Sequence, residues 1–205
     1  EYQHAYELYN SGKLGKLKSA TFKRYSGNID GNAWQNWFMN PKRSGGAILD
    51  LHIHDVDIVR YFFGRPGKVT AFGLNNHRSD QGIDQVMAVF DYGDGTLVSA
   101  EGGWSASSQV PFEMSFQIIC EEGTIHLSGA GYKIYHENGT IEEPQVADPN
   151  LPTGWHVEID YLLSSILKNS KPDKVIKLEE MKDAISIVEA EEISINEARS
   201  VVINY

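Results

Sequence analysis

The chain has 205 residues, 41% of them hydrophobic, enough to bury a substantial core, and a formal net charge of −10. That charge argues against nucleic acid and anionic membrane surfaces as partners, and no apolar run of about eighteen residues offers a membrane span. The single cysteine, Cys120, cannot form an internal disulfide, and together with the lack of a secretory signal it points to a soluble protein of the cytoplasm.

Residues 1 to 11 carry the pattern of the end of an amphipathic helix entering from an upstream unit, closed by Gly12. The expected organisation is therefore a helix end and linker over 1–15, belonging to a missing N-terminal domain, followed by one α+β domain over 16–205. KLKSATFKRY (16–25) alternates as a strand, with Lys16, Lys18, Lys23 and Arg24 assigned to a solvated strand face. Residues 26–43 form a loop broken by glycine and asparagine, yet it holds Trp34, Trp37, Phe38 and Met39. Two readings stand equally: a loop folded onto the core, or a flap over a binding site with Trp37 as wall and Lys42 as a polar contact to a ligand.

SGGAILDLHIHDVDIVRYFFG (44–64) is bounded by glycines and contains no proline, so it is expected to form one helix. At about 100° per residue the apolar positions spread over a broad arc, while Asp50, His54, Asp57 and Tyr61 fall on a narrow stripe. A solvated face normally carries Lys, Glu and Gln; this one offers carboxylates, an imidazole and a phenol. Asp50 and His54 are four apart, so the carboxylate can hydrogen bond one ring nitrogen and leave the other free as a general base. The alternative is an ordinary helix-surface pair. His52 and Asp55 fall within the apolar arc, His52 as a partly buried histidine. Histidines two apart diverge by roughly 200° on a helix, which disfavours a metal site; only Asp50, His54 and Asp57 could converge on an ion.

From Lys68 to Glu143 strands follow one another through short turns: 68–77, 84–92, 95–104, 113–121, 123–128, 132–136 and 139–143, read as an antiparallel meander. Tyr92 to Gly95 and Glu137-Asn138-Gly139 are hairpin turns. In 84–92, Val86, Ala88, Phe90 and Tyr92 face one way and Met87 and Val89 the other, so both faces want cover; the helices are too few to provide it, which predicts an oligomer. A proline-broken loop (144–155) leads to helices over 157–169 and 178–199, the second in an acidic background assigned to a solvated face, and VVIN is expected to return to a sheet edge.

SGGAILDLHIHDVDIVRYFFG closely resembles the signature of the glucose-fructose oxidoreductase, inositol dehydrogenase and MocA family, in which glycines precede D-x-x-x-H-x-x-D on a helix that ends in glycine. FDYGDGTLVSAEGGW, FQIICEEGTIHLSG and the closing segments resemble the same family, so the likeness covers essentially the whole chain. It implies an α+β domain with an open, mostly antiparallel sheet and helices on one face, following a Rossmann domain that binds NAD or NADP. It further implies a sugar, inositol or related polyol as substrate and a homo-dimer or tetramer formed through the exposed sheet face. Asp50 and His54 match the catalytic pair: His54 takes the hydroxyl proton, Asp50 orients it, and a lysine of the missing domain completes the group. Asp57 matches a later acid that faces ligand or serves structure, and Trp37, Lys42, Trp155 and His156 are the positions where specificity is expected. G-x-G-x-x-G and Glu-Lys-Pro are absent, so this chain alone is not expected to carry out the redox step. Where the family often has glycine between its Asp and His, His52 stands here. Because some members have lost catalysis, a non-catalytic binding or assembly module of the same fold is the alternative, and a metal-dependent lyase or isomerase built on Asp50 and His54 is a third, weaker one.

Overall fold

The alternation in residues 16–25 becomes β1 (Leu17–Tyr25), which buries Ala20 and Phe22 on one face and turns Ser19, Thr21 and Lys23 to the other. The computed structural model describes residues 1–27, 35–146, 148–171 and 177–205. The remaining strands are β2 (Lys68–Asn75), β3 (Ile83–Asp91), β4 (Leu97–Gly103), β5 (Glu113–Cys120), β6 (Gly123–Ser128), β7 (Gly131–His136), β8 (Ile141–Glu142) and β9 (Val201–Val202). They form one sheet in the order β8-β7-β6-β5-β1-β4-β3-β2-β9, antiparallel throughout except where β1 runs parallel to β4. The expected meander is thus two meanders, β2–β4 and β5–β8, with β1 inserted between β4 and β5. The VVIN segment does reach an edge, where Val201 and Val202 pair with Val69 and Lys68.

Helices cover one face of the sheet. α3 (Ile53–Phe63) buries Val56, Val59 and Phe62, and α5 (Leu178–Glu197) buries Ala184, Ile187, Val188 and Ala190, above Val69, Ala71, Val86, Ala88, Phe90 and Val98. α1 (Tyr2–Asn10) lies over β5 and β7: the Tyr2 ring meets Phe116 edge-on at 4.9 Å, and His4 Nδ1 lies 2.9 Å from the Tyr132 hydroxyl. Among the described residues nothing covers the other face around β2 and β3. Paired positions on β2 and β3 leave Phe72 and Met87 side by side, 70% and 53% exposed, with Val89 and Leu97 also open to solvent.

Two charge assignments change. Strand neighbours point to opposite faces, so Lys23 and Arg24 cannot share a solvated face; Arg24 turns inward and its side chain is only 12% exposed. The acidic α5 is not wholly solvated either, since Asp183 and Glu191 lie on its buried side. Asp183 holds Arg65 through two contacts of 2.8 Å, and the Arg65 guanidinium lies over the Tyr205 ring, fastening the last residue to the sheet's edge.

Candidate functional site: the Asp50–His54 helix

The expected single helix is broken at its start. α2 (Pro41–Ser44) ends at Gly45, and Gly45 and Gly46 both have positive φ, 82° and 74°, a conformation that costs glycine little. The Ser44 hydroxyl donates to Phe38 and Asn40 carbonyls and accepts the Gly46 N–H, tying the turn to the preceding loop. The helix then resumes with a π-helical turn over Ile48–His52 before α3. Such turns carry one extra residue per turn and recur at functional sites.

The π turn sorts the mixed string DLHIHD into two sets. Ile48, Leu51, His52 and Asp55 go inward; Asp50 is half-buried, His54 is exposed, Asp57 is half-buried and Tyr61 is exposed. Asp50, His54 and Asp57 therefore present on the open side, as their spacing predicts. Tyr61 does not stand free: it stacks on Tyr6 of α1 with ring centroids 4.1 Å apart. Among the described residues no hydrogen bond joins Asp50 to His54. Burial pushes the Asp50 carboxyl above the usual range, and the charge of the nearby His54 opposes that rise. Asp57 is also raised by burial, against the pull of Arg60, whose Nε lies 3.7 Å from Asp57 Oδ1. Arg60 in turn lies 3.7 Å from Glu180 of α5, so Asp57 belongs to an Asp–Arg–Glu chain on the helix surface. An imidazole open to solvent beside a partly desolvated carboxylate can exchange a proton with a ligand hydroxyl.

None of the contacts recorded for the other expected residues is with this pair. Trp34 lies outside the described residues. Trp37 is half-buried and packs edge-on against Phe38, whose ring lies 6.3 Å from the buried Trp104. Lys42 is exposed and lines a cleft of about 510 Å³ with Asn36, Met39, Asn40, Asp80 and Gln81. Asp50, His54 and Asp57 are not among the residues lining it. His156, in the first turn of α4 (Gly154–Leu167), is exposed and lies 2.7 Å from the Thr153 hydroxyl through Nδ1. Among the described residues no three of His, Cys, Asp and Glu come together as a metal site, and no helix is long and apolar enough to cross a membrane.

Three buried polar groups have partners that the reading of the sequence does not supply. Asp55, with no solvent exposure, is gripped by Arg24 at 3.0 Å and 3.2 Å in a two-pronged pair. His52, expected to be partly buried, is fully so, and its Nε2 lies 3.1 Å from Oε2 of the equally buried Glu191. Asp84 on β3 accepts the backbone N–H groups of His77 and Arg78 at 2.8 Å and 2.7 Å, and the Ser79 hydroxyl and Trp104 indole N–H at 2.6 Å each. Burial works to raise the Asp84 carboxyl, but these donors prevail and hold it below the usual range. The turn they fix leads to Asp80 and Gln81 at the cleft.

A model of the GFO/IDH/MocA C-terminal domain matches residues 2–126, a span that contains the Asp50–His54 helix. The scyllo-inositol 2-dehydrogenase (NAD(+)) of Bacillus subtilis (strain 168) is 30% identical over 105 residues, covering 49% of this chain and 29% of that protein. Aldose-aldose oxidoreductase from Caulobacter crescentus, solved with glycerol, superposes with a TM-score of 0.78 at 17% identity, over 98% of this chain and 60% of that one. Scyllo-inositol dehydrogenase from Lactobacillus casei, solved with NAD(H) and scyllo-inositol, superposes with a TM-score of 0.72 at 23% identity, over 98% of this chain and 61% of that one. The chain thus spans less than two-thirds of each of these relatives, and the structural likenesses carry the fold.

Proposed function

The chain belongs to the GFO/IDH/MocA family, whose C-terminal domain it matches over residues 2–126, and from that premise we propose that it is the substrate-binding and catalytic domain of an oxidoreductase moving a hydride between nicotinamide dinucleotide, NAD or NADP, and a sugar, inositol or related polyol. The observation that carries this reading is the presentation of Asp50 and His54 on the open side of one helix, immediately around a π turn.

The described residues of this chain do not fit the dinucleotide itself. Gly129 lies in the β6–β7 turn and Gly131 opens β7, and among the described residues no strand passes through a glycine-rich turn into a helix. We assign the cofactor, which supplies the hydride acceptor, to a separate Rossmann domain of the complete protein. The work left to this chain is proton handling and recognition. His54 takes the proton of the substrate hydroxyl, and Asp50 stabilises the imidazolium that results. Asp57, Trp37, Lys42 and His156 are the proposed contacts to the other hydroxyls. Asp57 would divide itself between ligand and Arg60, and His156 would leave Thr153 to reach one. The bare sheet face around Phe72 and Met87 supports a homo-dimer or tetramer as the working assembly, and the free, buried Cys120 fits the cytoplasm as its compartment.

The missing hydrogen bond between Asp50 and His54 favours a second reading, a binding or assembly module of the same fold. The two separate in the full-length protein, assayed with NAD and with NADP against a panel of inositols, aldoses and polyols. Catalysis predicts turnover in the parent and loss of about 10²- to 10⁴-fold in His54→Ala. A parental rate in His54→Ala refutes the assignment, and saturable polyol binding without turnover in the parent establishes the second reading.

A further inference from the structure

The π turn has no cause in its own sequence, since Ile48 to His52 contain neither proline nor glycine. What distinguishes it is the position of its last residue. His52 sits close against the backbone of β4: a Cβ placed on Gly102 would stand 2.9 Å from His52 Nδ1 and 3.2 Å from its Cα and Cβ, so only glycine admits the side chain where it lies. From above, Glu191 of α5 reaches down until its Oε2 is 3.1 Å from His52 Nε2, and neither side chain has any solvent exposure. The pair stands at ion-pair distance without hydrogen-bond alignment, and among the described residues neither side chain has another hydrogen-bonding partner. Among the described charged groups, Asp55 of α3, paired to Arg24 of β1, interacts electrostatically with His52, and Glu192 of α5 with Glu191.

This strut joins sheet, helix and helix at a residue two positions from Asp50 on one side and two from His54 on the other. We propose that His52 and Glu191 are positioning residues, which impose the π turn and through it set the separation and orientation of the Asp50–His54 pair. Neither touches substrate. Without the strut the turn relaxes toward ordinary α-helical winding, and the carboxylate moves relative to the imidazole. The proposal rests on the proton-transfer reading above.

The test uses the full-length enzyme. In a double variant, His52→Leu with Glu191→Met, the pair is replaced by apolar volume, an exchange that buried ion pairs commonly tolerate. The expected result is a kcat lower by about 10- to 100-fold with KM within about twofold, and a displaced limb in the pH profile of kcat. Gly102→Ala pushes the ring from the strand side while keeping both side chains, and the same pattern is expected. It supplies the readout if the double variant fails to fold. A folded variant of either kind with parental kcat and a parental pH profile overturns the strut. His54→Ala, run alongside, separates the two ideas: a parental rate there overturns the proton-transfer reading itself.

Discussion

Replacing Asp55 by alanine removes the carboxylate that neutralises Arg24 inside the sheet–helix interface. The two contacts are 3.0 Å and 3.2 Å, Asp55 has no exposure, and Arg24 retains 12%. Breaking a buried pair by removing one partner costs about 3–5 kcal/mol, because a charge is left without compensation. Among the described residues the one other polar atom the guanidinium reaches is Met114 Sδ at 2.7 Å, a weak acceptor. The slight exposure of Arg24 lets water approach it, which places the expected loss at the lower end, about 3 kcal/mol. For a chain of this length each kcal/mol moves Tm by about 2–4 °C, so Asp55→Ala is expected to melt about 6–12 °C below the parent. Urea unfolding followed by tryptophan fluorescence, with thermal melting by circular dichroism, measures both quantities. Arg24→Met combined with Asp55→Leu should recover most of the loss, since the desolvation of two charges is removed together. An Asp55→Ala variant within about 1 kcal/mol of the parent refutes the reasoning, because it would mean that the pair is hydrated and behaves as a surface salt bridge.

Asp84 gives a pH prediction of definite sign. Its folded-state carboxyl is held low by donors, so its contribution to stability is present above the ordinary carboxylate range and is lost as pH falls through the lowered folded value. Asp84→Asn is expected to cost about 1–3 kcal/mol at neutral pH and to lose that disadvantage in acid, read from Trp104 fluorescence across a pH series; an equal cost at both ends of the series contradicts it. On the bare sheet face, Phe72→Glu with Met87→Lys should lower the assembly state of the full-length protein in light scattering while leaving its melting temperature near that of the parent. An unchanged mass removes that face as the interface.

Hairpins were readable because their signals are local: alternation in Gln85 to Phe90 and the Asn138-Gly139 turn need no knowledge of the rest of the fold. The place of β1 was not, because its choice of β4 and β5 as neighbours depends on packing between distant segments. The outward set of the central helix was readable too, for helical winding keeps Asp50, His54 and Asp57 on one side whether or not a π turn intervenes. The π turn itself depends on Gly102 and Glu191, fifty and more residues away in the chain. Two inward charges had left a trace: Lys23 and Arg24 are neighbours on a strand, so one of them had to face inward, and Ala184, Ile187, Glu191 and Ser194 recur at the three- and four-residue spacing of a buried helix stripe.

β4 and β5 do not pair with each other; β1 alone joins the two halves of the sheet. Apart from β9, which reaches β2 from the far end of the sequence, each half is a set of hairpins that can zip up from nearby residues, whereas the seam must wait until Leu17–Tyr25 finds partners roughly eighty to a hundred residues later in sequence. Closing such distant contacts is slow relative to hairpin formation. Folding is therefore expected to proceed as two independent half-sheets stitched together last, and substitutions along β1 should slow assembly more than equally destabilising ones in the outer hairpins.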